Sequence, residues 1–299
     1  MKIGYPCLNR SIGCTPSRTF RLASYSAARL AETMRGNLDC LERILEYNRA
    51  NGLLFLRITS DLVPFASHPV CAFPWQREFA PRFAALGRFI RRQRMRISMH
   101  PDQFTLINSL DEGIFRRSAA ELEYHARVLD ALGLDDTARI QVHAGGVYGD
   151  KAAAINRFCS RFELLAGSVR RRLVVENDDR LFTVADCLEI HRRTGVPVLF
   201  DSFHHQLNHC GESAAAALAL AAATWKKKDG LPMIDYSSQK RGGRPGSHAE
   251  RIDLRHFARF INAAGHGLDF DIMLEIKDKE KSALRARRQL VKMKRIPES

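Results

Sequence analysis

The sequence contains no apolar run that is long enough to cross a membrane. Its longest apolar stretch covers residues 214–223 and ends shortly before Lys226, whereas a transmembrane helix needs about 20 apolar residues. Pro6 interrupts the short apolar run near the N-terminus, which argues against a secretory leader. We therefore expect a protein with no membrane partner, located in the cytoplasm.

Cysteine is present, but not in a pattern typical of a cross-linked or metal-bound fold. The seven cysteines are odd in number and widely scattered, and no CxxC pair occurs. This spacing predicts neither a disulfide framework nor a zinc finger. A reducing compartment fits such a sequence.

Glycine-rich phosphate-binding motifs are also absent. Neither GxGxxG nor GxxxxGK[ST] follows the first apolar run, which disfavours an open, doubly wound nucleotide-binding sheet. No linker or low-complexity segment divides the chain. We predict that residues 1–299 form one domain, with a basic C-terminal tail from about residue 277.

What the sequence does have is a large excess of positive charge. It contains 47 Lys and Arg residues against 33 Asp and Glu, for a net charge of +14 and a pI of about 9.8. The segment 277–295 holds nine Lys and Arg against two Asp and Glu, which is half of that excess. Basic side chains bind polyanions because they neutralise phosphates and release counterions. The charge favours a nucleic-acid partner, and a generically basic soluble protein is the alternative.

Short apolar runs alternate with longer amphipathic stretches along the whole chain. The runs have the length and near-continuous apolar character of buried parallel strands, and they cover residues 2–6, 53–58, 96–100, 139–143, 173–176, 197–201, 232–236 and 271–275. The amphipathic stretches include 37–51, 76–93, 112–132, 151–169, 183–193 and 248–264. Gly52, Gly133 and Gly195 stand where left-handed helix C-caps are expected. Eight such repeats predict an α/β fold, a single closed (β/α)8 TIM barrel.

Potential metal ligands stand at the ends of six of the eight runs. They are His100, His143, Glu176, Asp201, Asp235 and Glu275. A single one would be explained as a helix cap, but in a barrel all strand ends meet at one mouth, where active sites are built. His204 and His248 follow in adjacent loops. Histidine with carboxylate suits Mn²⁺, Zn²⁺ or Fe²⁺, so we predict a metal site. His125, His191, His256 and His266 are expected to face solvent.

Eight motifs, in order, resemble those of the UV damage endonuclease family. They are GYPC at 4–7 with Asn9, PFASHP at 64–69, SMHP at 98–101 with Gln103, VEND at 175–178, DSFHH at 201–205, YSSQ at 236–239, RPGSH at 244–248 and MLEIK at 273–277. The resemblance runs nearly from end to end. It brings kinship with endonuclease IV, which shares the barrel and a three-metal phosphodiesterase site.

The resemblance implies a manganese-dependent enzyme that cuts DNA directly 5′ to cyclobutane pyrimidine dimers and related photoproducts. It places the first ion at His100, His143 and Glu176, the second at Glu176, Asp201, His248 and Glu275, and the third at His204 and Asp235. Glu176 would bridge two ions. His68 matches a histidine at the edge of the family's site and would contact the phosphate. Lys277 follows the last strand run and is a further candidate for a phosphate contact, with an ordinary surface lysine as the alternative. Two or three Mn²⁺ ions are expected, with Zn²⁺ or Mg²⁺ as alternatives.

For lesion recognition, the resemblance implies that Gln103 and Phe104 probe the gap at a damaged step. Tyr5 and Asn9 would make further contacts near the lesion. The alternative for Phe104 is a buried loop anchor. One departure concerns the seventh strand, which has Met233-Ile234-Asp235 where the family has Lys-x-His with a carboxylated lysine. Since a thioether is a poor ligand for a hard ion, we expect the third site to be weak and to fill only with substrate.

Three competing functions are consistent with a ligand-rich barrel. One is a metal-dependent sugar isomerase or epimerase, which the basic charge disfavours. Another is an abasic-site endonuclease, and the last is a non-catalytic DNA-binding protein, which the full ligand set disfavours. The favoured interpretation is a monomer that acts on damaged double-stranded DNA.

Overall fold

Eight parallel strands close into a barrel in chain order, β1 to β8, with β1 paired to β8. The computed structural model describes residues 1–263 and 267–298. The strands are β1 Ile3–Pro6, β2 Phe55–Ile58, β3 Arg96–Met99, β4 Arg139–His143, β5 Leu173–Glu176, β6 Val198–Asp201, β7 Met233–Tyr236 and β8 Asp271–Leu274. The predicted (β/α)8 barrel is confirmed, and the open sheet is wrong.

The helices lie between the strands and surround the barrel. They are α1 Ala27–Ala50, α2 Trp75–Glu78, α3 Ala80–Arg92, α4 Glu112–Ala131, α5 Lys151–Phe162, α6 Gly167–Arg172, α7 Val184–Thr194, α8 Ser202–Leu207, α9 Ala214–Ala223, α10 Leu254–Ala263 and α11 Glu280–Lys292. Short 3-10 helices cover Leu22–Ser24, Ser60–Leu62 and Lys227–Asp229. In the described part of the chain, no helix is both long enough and apolar enough to span a bilayer.

The helix boundaries differ from expectation where a capping residue or a proline sets them. Helix α1 begins ten residues before the predicted start at residue 37, because Ser26 accepts a hydrogen bond from the Arg29 amide and caps it. The predicted helix at 76–93 is two helices, α2 and α3, because Pro81 lies in the first turn of α3 and favours a new helix start there. The predicted start at 248 is wrong, because α10 begins only at Leu254. Gly52, Gly133 and Gly195 all have positive φ, as predicted for C-caps.

The barrel is filled by different side chains at different levels along its axis. In the middle, one apolar layer consists of Phe55, Val174, Leu199, Met233 and Met273. At the amino ends of the strands, the buried side chains of Arg96 and Arg139 pair with Asp271 and Asp229 and stack on Trp225. The mouth of the barrel therefore lies at the carboxyl ends of the strands.

Two cysteines form a disulfide that the sequence did not indicate. Cys14, in the β1–α1 loop, is bonded to Cys40 on α1, with Cα atoms 5.9 Å apart. This one bond departs from the prediction that the spacing indicates no disulfide framework. A separation of 26 residues carries no disulfide pattern, because only the packing of the loop onto the helix brings these side chains together. The other five cysteines are free: Cys7, Cys71, Cys159, Cys187 and Cys210.

The histidine expected at the surface of α4 is part of the core. His125 is fully buried; its Nε2 lies 3.0 Å from Ser60 Oγ, and Ser60 Oγ donates to the backbone oxygen of His100. The prediction of a solvent-facing His125 is wrong, because its helix turns that face to the barrel. His191 and His256 are half-buried, and His266 lies outside the described residues.

Burial of His125 predicts a loss of stability in acid. Burial lowers the pKa of His125 to about 4, whereas an unfolded histidine has a pKa of about 6.5. Between pH 6.5 and pH 4, the His125 imidazole takes up a proton in the unfolded chain but not in the folded protein. The free energy of unfolding therefore has its full value above pH 6.5 and decreases as pH falls towards 4. The loss is expected to reach roughly 3 kcal/mol of unfolding free energy.

Urea unfolding of wild type and His125→Gln at pH 7, 6 and 5 measures this contribution. The free-energy difference between the two proteins should shrink as pH falls, since the variant carries no proton at this position. Contributions from other groups cancel in that difference. A difference that stays constant over the range would contradict the buried neutral histidine.

Candidate metal centre at the barrel mouth

The carboxyl ends of β3 to β8 carry the histidines and carboxylates that the sequence singled out. Strand pairing places His143 beside Glu176 and Asp201 beside Asp235. Because parallel strands end at one face of the barrel, residues far apart in the chain lie within one site. Three groups of potential metal-ligand atoms result, and within each group the atoms lie within 4.8 Å of one another.

The first group consists of His100, His143 and Glu176. The Nε2 atoms of the two imidazoles lie 3.5 Å and 3.9 Å from Glu176 Oε2. The two rings are 5.2 Å apart, between centroids. These are the residues that the resemblance implies for the first ion.

The second group consists of Glu176, Asp201 and His204. His204 Nδ1 lies 3.3 Å from Glu176 Oε1 and 3.7 Å from Asp201 Oδ2. Asp201 also caps α8, since its Oδ1 accepts from the amides of Phe203 and His204 at 2.7 Å each. Its Oδ2 is buried and has no hydrogen-bond partner. Glu176 is thus shared by two groups, one oxygen to each.

The third group consists of Asp201, Asp235 and Glu275. It differs from the expected third site, because the structure groups His204 with Glu176 and not with Asp235. Arg57 on β2 reaches this group and pairs with Asp235 at 2.6 Å and with Glu275. Met233 contributes no ligand, since it packs into the apolar layer below.

His248 lies beside the centre but outside the three groups. Its Nδ1 is 2.8 Å from the backbone oxygen of Glu275 and 3.7 Å from Glu275 Oε2. Its ring is 6.4 Å from that of His204. An isolated antiparallel β-bridge between Gln239 and His248 joins two parts of the loop that follows β7.

The buried carboxylates make this mouth strongly acidic. Burial alone would raise the pKa of Glu275, but Arg57 outweighs it and holds that pKa at about 2. Burial raises the pKa of Asp201 to about 6, although His204 opposes the shift. Burial would lower the pKa of His204, yet Asp201 and Glu176 raise it to about 11. The site therefore attracts positive charge, from protons or from metal ions.

A cavity of about 640 Å³ opens above the ligands. Lys277 and Gln103 line it, and so does Lys279, which was not among the predicted site residues. Lys277 is exposed, and its Nζ lies 3.3 Å from Glu250. Lys279 is two positions further along in the basic segment 277–295. Its positive charge was visible in the sequence but was counted as part of the basic C-terminal tail.

The two residues expected to probe lesions are exposed at the rim. Phe104 has 72% of its surface exposed, so the alternative of a buried loop anchor is wrong. Its loop is held by Asp102 Oδ1, which accepts from the Phe104 amide at 2.9 Å. His68 is exposed and lines a second cavity with Phe104, outside the three ligand groups.

Tyr5 and Asn9 do not reach the surface. Tyr5 is fully buried and donates to Asn48 on α1 at 2.7 Å, while Asn9 donates to the Tyr5 hydroxyl at 2.8 Å. The expectation that they contact DNA needs correction, because both side chains are used inside the protein. They fix the start of the β1–α1 loop to α1.

Two buried polar residues beneath the ligands, Arg57 and Gln141, were missed. Each lies inside an apolar strand and points into the barrel, where Gln141 donates to Glu176 at 2.6 Å and to Asp235 at 2.7 Å. A charged or amide side chain within a buried strand run was the available signal.

Comparison with known proteins gives one consistent result. Residues 1–299 match the sequence profile of the family described as UV-endonuclease UvdE. A UV DNA damage endonuclease of Clostridium perfringens (strain 13 / Type A) is 37% identical over 290 residues, covering 95% of this chain and 69% of that protein. The crystal structure of SacUVDE has a TM-score of 0.94 and 43% identity, covering 99% of this chain and 100% of its own.

A more distant likeness concerns the fold alone. Endonuclease IV from Thermus thermophilus has a TM-score of 0.59 at 16% identity, with 98% of this chain and 100% of that chain covered. The barrel is thus common to both proteins.

Proposed function

The chain belongs to the UV-endonuclease UvdE family, and on that basis we propose that it is a metal-dependent DNA repair endonuclease. It hydrolyses the phosphodiester bond immediately 5′ to ultraviolet photoproducts in double-stranded DNA. The proposal includes one domain over residues 1–299, acting as a monomer in the cytoplasm. The observation that carries it is the sharing of Glu176 between two ligand groups at the mouth.

The side chains at the mouth fit divalent metal ions. Asp201 Oδ2 and Asp235 Oδ1 are buried without a hydrogen-bond partner. Four carboxylates, from Glu176, Asp201, Asp235 and Glu275, converge there, and Arg57 forms ion pairs with two of them. Imidazole and carboxylate together suit Mn²⁺, with Zn²⁺ or Mg²⁺ as alternatives.

In the proposed reaction the protein residues bind and orient the DNA around the ions. The ions would take their ligands from the following residues: His100, His143, Glu176, Asp201, His204, Asp235, His248 and Glu275. When bound there, they would activate water and neutralise the charge that develops on the phosphate. Lys277 and Lys279 line the cavity and attract the phosphate backbone. His68 lines a cavity with Phe104 at the rim, and there it would contact the DNA backbone.

In this proposal, damaged DNA is recognised by residues that are exposed at the rim of the barrel mouth. Gln103 and Phe104 stand free to enter a duplex step that is already weakened. A kinked, dimerised step costs less to unstack than an intact one, so an exposed aromatic ring discriminates between the two without base-specific contacts. The acidic ligand cluster alone would not provide this preference.

A plasmid assay tests the proposed function. Irradiated supercoiled plasmid should be nicked in the presence of Mn²⁺, unirradiated plasmid should remain intact, and EDTA should stop nicking by removing the ions. Restoring excess Mn²⁺ should restore nicking. The position of the cut is measured on an end-labelled duplex with one defined dimer.

Matched substrates separate the proposal from its alternatives. Nicking only of a duplex with an abasic site would favour the abasic-site endonuclease. Binding to irradiated DNA without any nicking would favour the non-catalytic protein. Equal nicking of irradiated and unirradiated plasmid, or full activity in EDTA, would contradict the proposal.

A further inference from the structure

Arg57 and Gln141 form a polar layer directly beneath the three ligand groups. The Arg57 guanidinium donates to Gln141 Oε1 at 2.8 Å and to Asp235 Oδ2 at 2.6 Å, and it also pairs with Glu275. The Gln141 amide donates to Glu176 at 2.6 Å. Arg57 and Gln141 are 4% and 0% exposed, so water does not weaken these bonds.

The third ligand group differs from the other two in its charge balance. A guanidinium already contacts two of its three members, Asp235 and Glu275. Among the described residues, no lysine or arginine forms an ion pair with Glu176 or Asp201, whose partners are histidines. Within the described residues, the first two groups thus lack a permanent cation, because a histidine gives up its proton when it binds a metal ion, whereas the third group contains the Arg57 guanidinium.

A guanidinium in this position is a permanent charge. Arginine does not lose its proton in proteins. Burial alone would lower the pKa of Arg57, but Asp235, Glu275 and Glu176 outweigh burial and raise that pKa further. A divalent ion at the free oxygen of Asp235 would share that carboxylate with Arg57. Two positive charges on one buried carboxylate repel each other strongly, because the surroundings have a low dielectric constant.

We propose that Arg57 is the built-in cation of the third ligand group, so that the DNA-free protein holds two divalent ions, and that Gln141 links this guanidinium to Glu176. Both are positioning residues, since they act through the ligands. The inference rests on the metal dependence in the proposed function, and it adds how many ions the protein holds and why.

Counting Mn²⁺ in the DNA-free protein tests this inference. After loading and dialysis, elemental analysis and electron paramagnetic resonance should find two ions per chain in the wild type. Arg57→Gln frees Asp235 and Glu275, so three ions per chain are expected. In Arg57→Gln/Asp235→Asn the third ion should be lost again. Arg139→Gln is the matched control, because Arg139 is equally buried but pairs with Asp229 at the opposite end of the barrel.

A second variant leaves Arg57 in place. Gln141→Leu should still hold two ions, with Mn²⁺ affinity about tenfold weaker, since loss of a residue that orients a ligand typically weakens binding 10- to 100-fold. If Arg57→Gln does not fold, this affinity and the wild-type count decide the question.

The outcomes separate this inference from the proposed function. Three tightly held ions in the wild type, two ions in a folded Arg57→Gln variant, or unchanged affinity in Gln141→Leu would overturn the inference alone. A wild-type protein that holds no Mn²⁺ and leaves irradiated plasmid intact would overturn both.

Discussion

Glu176→Gln should reduce nicking of irradiated DNA by several orders of magnitude while DNA binding persists. Glu176 gives one oxygen to each of two ligand groups and is almost completely buried. A neutral amide of the same shape removes the charge that would hold both ions, and each tenfold loss of rate corresponds to about 1.4 kcal/mol of activation free energy. We expect the DNA affinity to stay within a few-fold, because basic side chains outside this cluster would provide most of it.

Single-turnover nicking and a gel-shift assay on one irradiated duplex measure the two effects separately. The matched control is Glu189→Gln, which makes the same change on the exposed face of α7, where Glu189 contacts Arg192. Circular dichroism checks the fold of both variants. Near-normal nicking by a folded Glu176→Gln variant would refute the proposed metal centre.

Replacing Gln103 and Phe104 together by alanine should reduce the preference for damaged over intact duplex by about tenfold or more. The ring of Phe104 is 72% exposed at the rim, so it is available to stack on bases. Stacking of a base on an aromatic side chain is worth about 1–3 kcal/mol, and 1.4 kcal/mol is a factor of ten. Because neither residue belongs to the three groups of potential ligands, the number of bound ions should not change.

Competition binding between irradiated and unirradiated duplexes measures this ratio. Leu164→Ala is the matched control, since Leu164 is also 72% exposed but lies on the connection between α5 and α6. A fall in affinity that is equal for both duplexes would mean that the rim binds DNA without recognising damage.

The residues that meet at the mouth could be predicted, but their grouping could not. His143, Glu176 and Asp201 were visible because each follows an apolar strand run, and closure of the barrel brings all strand ends to one mouth. His204 was expected beside Asp235 and lies beside Asp201 instead. The three-residue spacing accounts for the contact of His204 with Asp201, but the contact of His204 with Glu176 on β5 depends on how α8 leaves β6.

Whether a polar residue is exposed or buried could not be predicted from its type, because burial depends on the packing of the whole molecule. Tyr5 and Asn9 were expected at the DNA and are enclosed against α1. His125 was expected in solvent and is in the core. In each case the side chain found a hydrogen-bond partner on another element, which removed the cost of burying it.

The sequence by itself determined the barrel, because eight apolar strand runs alternating with amphipathic helices leave few other ways to bury both faces of a parallel sheet. It also determined the chemical type of the mouth, since the ligands stand at strand ends. The tertiary structure alone decided that Cys14 meets Cys40, that Phe104 stands free, and that Arg57 lies between Asp235 and Glu275. Such contacts join residues on different elements, and their distances depend on side-chain packing across the barrel, which no local pattern of residues encodes.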